Sequence, residues 1–332
     1  MKRQIYAAAA VVMLVSSPSL AQPYNVTVAG YSPGGLVSTI GAGMDKALAT
    51  QFPGSTVTYQ TSSGGLANGM LVATKKVPMG LIGDHEFPII FEGRPPYKTP
   101  VKNLRLVFKP YVGATRFQIS HALFSKEFAD RHGLKTFADL ARVRPPMRIA
   151  LNRPGNADGD VSLAFLDAIG LKPADIQKAG GQVIRAASGE QSSLMLDRRI
   201  DGLMFGISYR HPRVLEIEKG LPIVMLPFDE ATSKKVAEQW GGKVCEVKPG
   251  EYNFLNGSSF SVCMGLGLYV RDDADETLVY NVTKAMYEQI GAFHAAHRLL
   301  KQFVTEQTMA EPGLVPHHPG AARYMKEKGL LK

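Results

Sequence analysis

Residues 25–74 run twice through one pattern, and that repeat constrains the fold more than any other feature of the chain. Asn25-Val26-Thr27-Val28-Ala29 alternates side chains of opposite polarity and stops at Gly30, the period-two signature of a half-buried strand. The turn Tyr31-Ser32-Pro33-Gly34-Gly35 follows, and 36–50 then carries apolar residues at helical spacing. Thr56-Val57-Thr58-Tyr59-Gln60 reads as a second strand, Thr61-Ser62-Ser63-Gly64-Gly65 as a second turn and 66–74 as a second helix, with 79–82 a further short strand. Strands that each hand a Gly-rich loop to a helix N-terminus predict an open α/β sheet with both loops at its carboxyl edge.

A second α/β run follows an extended stretch at 104–123. It reads as strand at 148–151, loop at 152–160, helix at 161–169, strand at 182–185, helix at 191–199 and strand at 201–205. Residues 260–270 are extended and punctuated by glycine, and 275–297 reads as one long amphipathic helix. A single core seldom grows past about 250 residues, so a chain of 332 residues is expected to divide. The reading is two α/β lobes: 22–112 as the first part of lobe one, 113–259 as lobe two, and 260–332 returning to lobe one. Two crossings, near 108–120 and 260–270, would join them, with a ligand held in the cleft between.

The N-terminus predicts export. Met1, Lys2 and Arg3 precede an apolar run at 5–15 and then Ser16-Ser17-Pro18-Ser19-Leu20-Ala21, the order of a secretory signal, with cleavage expected after Ala21. The apolar run falls short of the ~20 residues of a spanning helix, and no cysteine stands where a lipid anchor would need one. The mature chain is therefore expected in the periplasm. Cleavage removes two basic residues and no acid, lowering the net charge from +9 to +7, a balance that suits an anionic ligand. The basic residues are scattered, which speaks against nucleic acid as a partner. Cys245 and Cys263 can form one disulfide in an oxidising compartment, though spacing alone does not show that geometry allows it. Neither lies in a CxxC, and no Cys/His set has zinc spacing, so neither a metal site nor a redox role is expected.

Three Gly-rich loops could carry function, because a helix N-terminus offers free N–H groups and glycine lets a ligand approach closely. They are Ser32-Pro33-Gly34-Gly35, Ser62-Ser63-Gly64-Gly65-Leu66-Ala67-Asn68 and Arg153-Pro154-Gly155-Asn156-Ala157-Asp158. None has the spacing of a P-loop or a GxGxxG turn, so no nucleotide cofactor is expected, nor any other. No GxSxG elbow exists, and Ser62 or Ser63 would need a histidine in reach to act as a nucleophile. His294 and His297 are three apart but lack an acidic ligand, and a solvent-facing pair is expected; His317 and His318 suit a turn. Asp84 and His85 follow a strand end and border the expected cleft. The leading reading is a monomeric binding protein with no catalytic residue. An exported sensor domain working with a membrane kinase, and a secreted hydrolase using Ser63 or Asp158 in the same cleft, are the alternatives.

With these segments in hand, the chain resembles the TAXI-type solute receptors of TRAP transporters over nearly its whole mature length. The resemblance is carried by SPGGLVSTIGAGMDKAL after the first strand, TSSGGLANGMLVATKKVPMGLI after the second, and the ending PGLVPHHPGAARYMKEKGL. It implies a two-lobed type II periplasmic-binding-protein fold, closure around a small organic acid, and delivery to TRAP-type integral membrane permease subunits. By position it implies a site drawing on Ser32, Gly34 and Gly35, on Ser63, Gly64, Gly65 and Asn68, on 154–158, and on Gly206 and Ser208. Three departures stand out: Leu36 and Gly65 replace hydroxyl residues, and Gly155-Asn156-Ala157-Asp158 replaces Gly-Ser-Gly-Thr. Each lost donor to a buried carboxylate would cost about 1–3 kcal/mol if nothing replaced it, so glutamate bound in the family's manner is not expected. Arg116, Arg153 and Arg210 could form a carboxylate clamp instead, and Tyr31, Phe87, Tyr111 and Tyr252 an apolar wall. The expected ligand is a carboxylate with a larger apolar body.

Overall fold

The computed structural model describes residues 23–33, 35–113, 117–240 and 242–331; the expected export signal at 1–21, Gly34 and Arg116 lie outside them. The first sheet is built as the repeat predicts. β1 (Asn25–Ala29) leads through α1 (Leu36–Gln51) to β2 (Thr56–Gln60), and β2 through α2 (Gly65–Ala73) to β3 (Met79–Gly83). β1 pairs in parallel with both β2 and β3. After α3 (Phe87–Glu92) and β4 (Leu104–Tyr111) the chain crosses into a second sheet.

That sheet opens with β5 (Gln118–Ser125), followed by α4 (Lys126–Arg131) and α5 (Asp139–Val143). A parallel core then alternates β6 (Arg148–Leu151), α6 (Ala157–Ala168), α7 (Pro173–Lys178), β7 (Gln182–Arg185), α8 (Ser188–Leu196) and β8 (Gly202–Ser208). After α9 (Pro212–Gly220) come β9 (Ile223–Met225), α10 (Glu230–Trp240), β10 (Lys243–Val247) and β11 (Ser259–Met264). The chain then returns as β12 (Leu266–Arg271) and closes with α11 (Glu276–Glu288), α12 (Ile290–His294), α13 (Arg298–Phe303), α14 (Glu306–Met309) and α15 (Pro319–Glu327). The strand orders are β2-β1-β3-β12-β4 and β10-β11-β5-β8-β6-β7, with β9 beside β5.

These orders decide where a ligand can go. β1 sits between β2 and β3, and β6 between β7 and β8, so chain progression reverses at β1 in one sheet and at β6 in the other. Loops leaving such switch points diverge, opening a crevice at the carboxyl edge of the sheet. The loops after β1 and β3 and the loops after β6 and β7 therefore supply the two walls of the cleft.

The two lobes are joined through a shared core. Tyr111, at the end of β4, meets Phe117 edge-on at 4.8 Å between ring centroids, and Phe117 packs on Phe303 of α13 at 5.0 Å. The histidine-containing tail is built into lobe one. Leu106 N–H donates to Pro316 O (3.2 Å) and His318 N–H to Leu106 O (2.8 Å), while His318 Nδ1 accepts from Gly320 N–H and caps α15. Cys245 of β10 and Cys263 of β11 are joined as a disulfide across adjacent strands, with Cα atoms 6.0 Å apart.

Three sequence expectations need correction. Residues 260–270 are two strands in different sheets: β11 pairs with β10 and β5, β12 with β3 and β4. The second crossing is thus at Gly265, and 260–264 stay with the second sheet. Every apolar position of the two strands except the half-buried Phe260 is buried, so no change of period marked the switch; only the glycine did. Its own Cβ would collide with Asp84 and lie 3.2 Å from Tyr111 O. The helix expected over 275–297 is broken at Gln289 (φ −110°, ψ 33°). Finally, α6 begins at Ala157 and not at 161, because Asn156 Oδ1 accepts from Asp158 N–H and caps it. Among the described residues no helix is long and apolar enough to cross a membrane, and no group of three His, Cys, Asp or Glu side chains could hold a metal.

Candidate functional site

The loops from the two lobes meet backbone to backbone. Gly64 has φ 141°, and a Cβ there would lie 2.5 Å from Gly155 O and 2.9 Å from Asn156 Cα, so only glycine permits this approach. Behind the contact is a cavity of about 30 Å³ walled by Tyr31, Ser32, Gly35 and His85 of lobe one and by Asn152, Asn156, Asp158, Ser188 and Gly206 of lobe two. At roughly 10–15 Å³ per water, it has room for two or so. A larger depression of about 350 Å³ lies at the far edge of lobe two, lined by Phe128, Arg131, Arg148 and Arg198. Its charges are already paired, Arg131 with Glu127 and Arg148 with Asp201 (2.7 Å), and the switch-point loops do not reach it. The cleft is the candidate site.

Ser32 holds the lobes together. Its hydroxyl donates to Asn152 Oδ1 and accepts from Asn156 Nδ2, each at 3.3 Å. Asn152 Nδ2 in turn donates to Asp158 Oδ2 (3.0 Å) and to Ser188 Oγ (3.1 Å), and Gly206 N–H donates to Asp158 Oδ1. Burial pushes the Asp158 carboxyl up to about 7, against the two donors that favour its ionised form. Gln118, at the first crossing, faces the same cavity, and its Oε1 accepts from Tyr111 O–H at 2.6 Å.

The N-terminus of α2 is occupied by the chain itself. Glu86 Oε1 accepts from Gly65 N–H (2.9 Å), and Oε2 accepts from Gly83 N–H (2.9 Å) and Tyr31 O–H. A carboxylate at a helix N-terminus is the expected arrangement, but here the protein supplies it. Burial raises Glu86 to about 7 and lifts the Tyr31 phenol well above its usual range. By contrast α1, 16 residues long, has Gly35 as its N-cap with no side-chain cap and no acid in its first turn. Gly35 and Val37 both line the cavity.

The segment Asp84-His85-Glu86 leaves β3 and divides the work. Asp84 pairs with the buried Lys109 at 2.9 Å and donates its N–H to Gly265 O, tying lobe one to the second crossing. Glu86 plugs α2. His85 is 4% exposed, faces the cavity, and neither ring nitrogen has a hydrogen-bond partner. Burial holds it at about 3, so the ring is neutral.

The other expected residues divide clearly. Ser32, Gly35, Asn156, Asp158 and Gly206 line the cavity, and Gly64 and Gly155 form the loop contact above it. Ser62 and Asn68 are internal staples: the Ser62 hydroxyl accepts from Gly64 N–H, and Asn68 Nδ2 donates to Gly30 O and Leu81 O. Gly65 is committed to Glu86, and Ser63 is exposed beside Gly155. Asp84 sits behind the wall. Ser208 is fully buried and does not line the cavity. Tyr252 is also elsewhere, its hydroxyl lying 2.9 Å from His121 Nε2 and accepting from Arg210 N–H. Of the expected aromatic wall only Tyr31 reaches the cavity; Phe87 stacks on Tyr269 in the lobe-one core. The clamp fares no better: Arg153 is exposed, 3.5 Å from Glu190, and Arg210 is exposed. His294 is half-buried and bonds Val304 O at 2.7 Å, and half-buried His297 stacks on His211. Sequence reasoning missed Gln118, Asn152, Ser188 and Glu86. Three of these four lie within a few residues of the end of β3, β6 or β7, a positional signal that was present once the strands were placed.

Solved structures share this architecture. The periplasmic binding protein BugD superposes with a TM-score of 0.53 at 12% identity, over 93% of this chain and 94% of its own. MatC from Rhodopseudomonas palustris, solved with bound malate, gives 0.53 at 12% identity over 83% and 88%. PhnD1 from Prochlorococcus marinus, in complex with methylphosphonate, gives 0.52 at 10% identity over 93% and 100%. The fold is thus the two-lobed α/β fold of periplasmic binding proteins. At the level of sequence, residues 28–329 match the profile of the NMT1-like family, and the chain belongs to that family.

Proposed function

We propose that this protein is an extracytoplasmic solute receptor that closes its two lobes on a small organic acid and hands it, unaltered, to a membrane transporter. The observation that carries the reading is the convergence of switch-point loops from both lobes on one polar cavity. Two crossings and a continuous aromatic link join the lobes, the architecture of a hinge closure. Malate and methylphosphonate, held by MatC and PhnD1, are small acids of the kind proposed. The resemblance in the Gly-rich loops and the tail favours a TRAP-type permease as the transporter, and the charged start with its small-residue cleavage point favours delivery to the periplasm.

The character of the ligand is revised from the sequence reading. Asn, Ser and Asp side chains line one wall of the cavity, which favours a polar acid over one with a large apolar body. No catalysis is proposed. Ser63 is exposed beside Gly155, the Ser62 hydroxyl is engaged with backbone and Asn68, and both Asp158 oxygens are already accepting, so neither Ser63 nor Asp158 forms a nucleophile–base pair among the described residues. The test is a melting-temperature screen of the purified mature protein against small mono- and dicarboxylates. A ligand at 100 times its Kd stabilises the folded state by about 2.7 kcal/mol, several degrees of shift. A flat response across the panel contradicts the reading.

A further inference from the structure

Within the Asp84-His85-Glu86 segment, two side chains have work in the fold and one does not. Asp84 is paired with Lys109, and Glu86 satisfies Gly65, Gly83 and Tyr31. His85 is 4% exposed, and both of its ring nitrogens are buried without a partner. Space has been kept for it: a Cβ on Gly83 would overlap the imidazole, and the Trp240 ring flanks it at 6.1 Å. A buried polar group left unpaired destabilises the chain that carries it. Its retention therefore points to a partner that arrives with the ligand.

The same cavity contains a second unmet feature. The N-terminus of the 16-residue α1 carries no side-chain cap and no acid in its first turn, although the N-termini of α2 and α6 are filled by Glu86 and Asn156. Among the described residues no Lys or Arg lines the cavity, whereas Asp158 does.

Resting on the receptor reading above, we propose that the ligand is a small monocarboxylate seated between the α1 N-terminus and His85. The helix N–H groups take a carboxylate oxygen, and the imidazole donates to the other oxygen or to a neighbouring oxo or hydroxyl group. The helix end supplies about half a positive charge, which matches one carboxylate. A second carboxylate would face Asp158 with no cation beside it. His85 acts as a neutral donor, since burial keeps its ring unprotonated.

The experiment compares wild type with His85→Leu and His85→Gln, using pyruvate, lactate and glycolate against malonate and succinate. Calorimetric titration and melting of the ligand-free proteins are both read. The expected result is that wild type binds at least one monocarboxylate more tightly than either dicarboxylate. His85→Leu should weaken that binding at least tenfold, while the ligand-free Leu variant melts at or above the wild-type temperature. His85→Gln should fall between, because its amide can still donate. Unchanged affinity in His85→Leu, or a ligand-free Leu variant that melts well below wild type, overturns the role given to His85. Tighter binding of a dicarboxylate overturns the ligand class. If none of the acids binds wild type, the receptor reading itself fails, and this inference with it.

Discussion

Replacing Glu86 by Gln tests whether the chain's own carboxyl, buried at the α2 N-terminus, closes one of the anion sites that the Gly-rich loops advertise. Burial raises this group from 4.5 to about 7. A carboxyl with a raised folded-state value holds its proton more tightly in the native protein than in the unfolded chain. Its contribution to stability is therefore complete below about 4.5 and is lost as pH climbs to 7. At 1.36 kcal/mol per pH unit the window is worth roughly 3 kcal/mol. Gln does not titrate. Asp158, raised to about 7 by the same cause, titrates in both proteins and cancels from the difference. The stability advantage of wild type over Glu86→Gln should thus shrink by roughly 3 kcal/mol between pH 4.5 and 7.5. Urea unfolding followed by far-UV circular dichroism at several pH values measures it, the midpoint moving while the slope is unchanged. Stability curves that run parallel from pH 4.5 to 7.5 would refute the placement of a carboxyl at this helix end whose burial outweighs its donors.

Ser32→Ala removes the two hydrogen bonds that Ser32 makes across the cleft. At about 1–2 kcal/mol for the closed form it should weaken ligand binding roughly 5- to 30-fold, read by calorimetry. Gly64→Ala places a Cβ 2.5 Å from Gly155 O at φ 141°, so it should prop the lobes apart. Small-angle scattering should then show no ligand-induced fall in radius of gyration, whereas wild type contracts. The double change Cys245→Ser with Cys263→Ser removes a bridge spanning 18 residues. It should lower stability by about 3 kcal/mol on the chain-entropy account and leave ligand affinity unchanged.

Much of the fold was legible because its signals are local. The repeat at 25–74 gave strand, turn and helix from period and glycine alone, and these elements appear in the first sheet with register Asn25↔Thr56 to Ala29↔Gln60. What was not legible depends on long-range pairing. Little local distinguishes β11 from β12, since both are largely buried strands parted by one glycine, and their partners show that they belong to different sheets. The site behaved in the same way. The loops were found, but which helix N-terminus is open depends on where Glu86 folds back, 21 residues from Gly65. Ser208, implied by position, and Tyr252, expected in an apolar wall, lie outside the cavity: Ser208 ends β8 fully buried, and Tyr252, in the loop between β10 and β11, is buried with its hydroxyl 2.9 Å from His121 Nε2.

The central claim is that the cleft holds a small acid and returns it unchanged. The most direct test is mass spectrometry of the small molecules released by denaturing the purified mature protein, followed by titration of the identified compound into ligand-free protein. The account predicts a compact carboxylic acid that rebinds at one per chain and is recovered with its mass unaltered after prolonged incubation. A compound that carries no acid group, or an acid recovered as a different product, would contradict it.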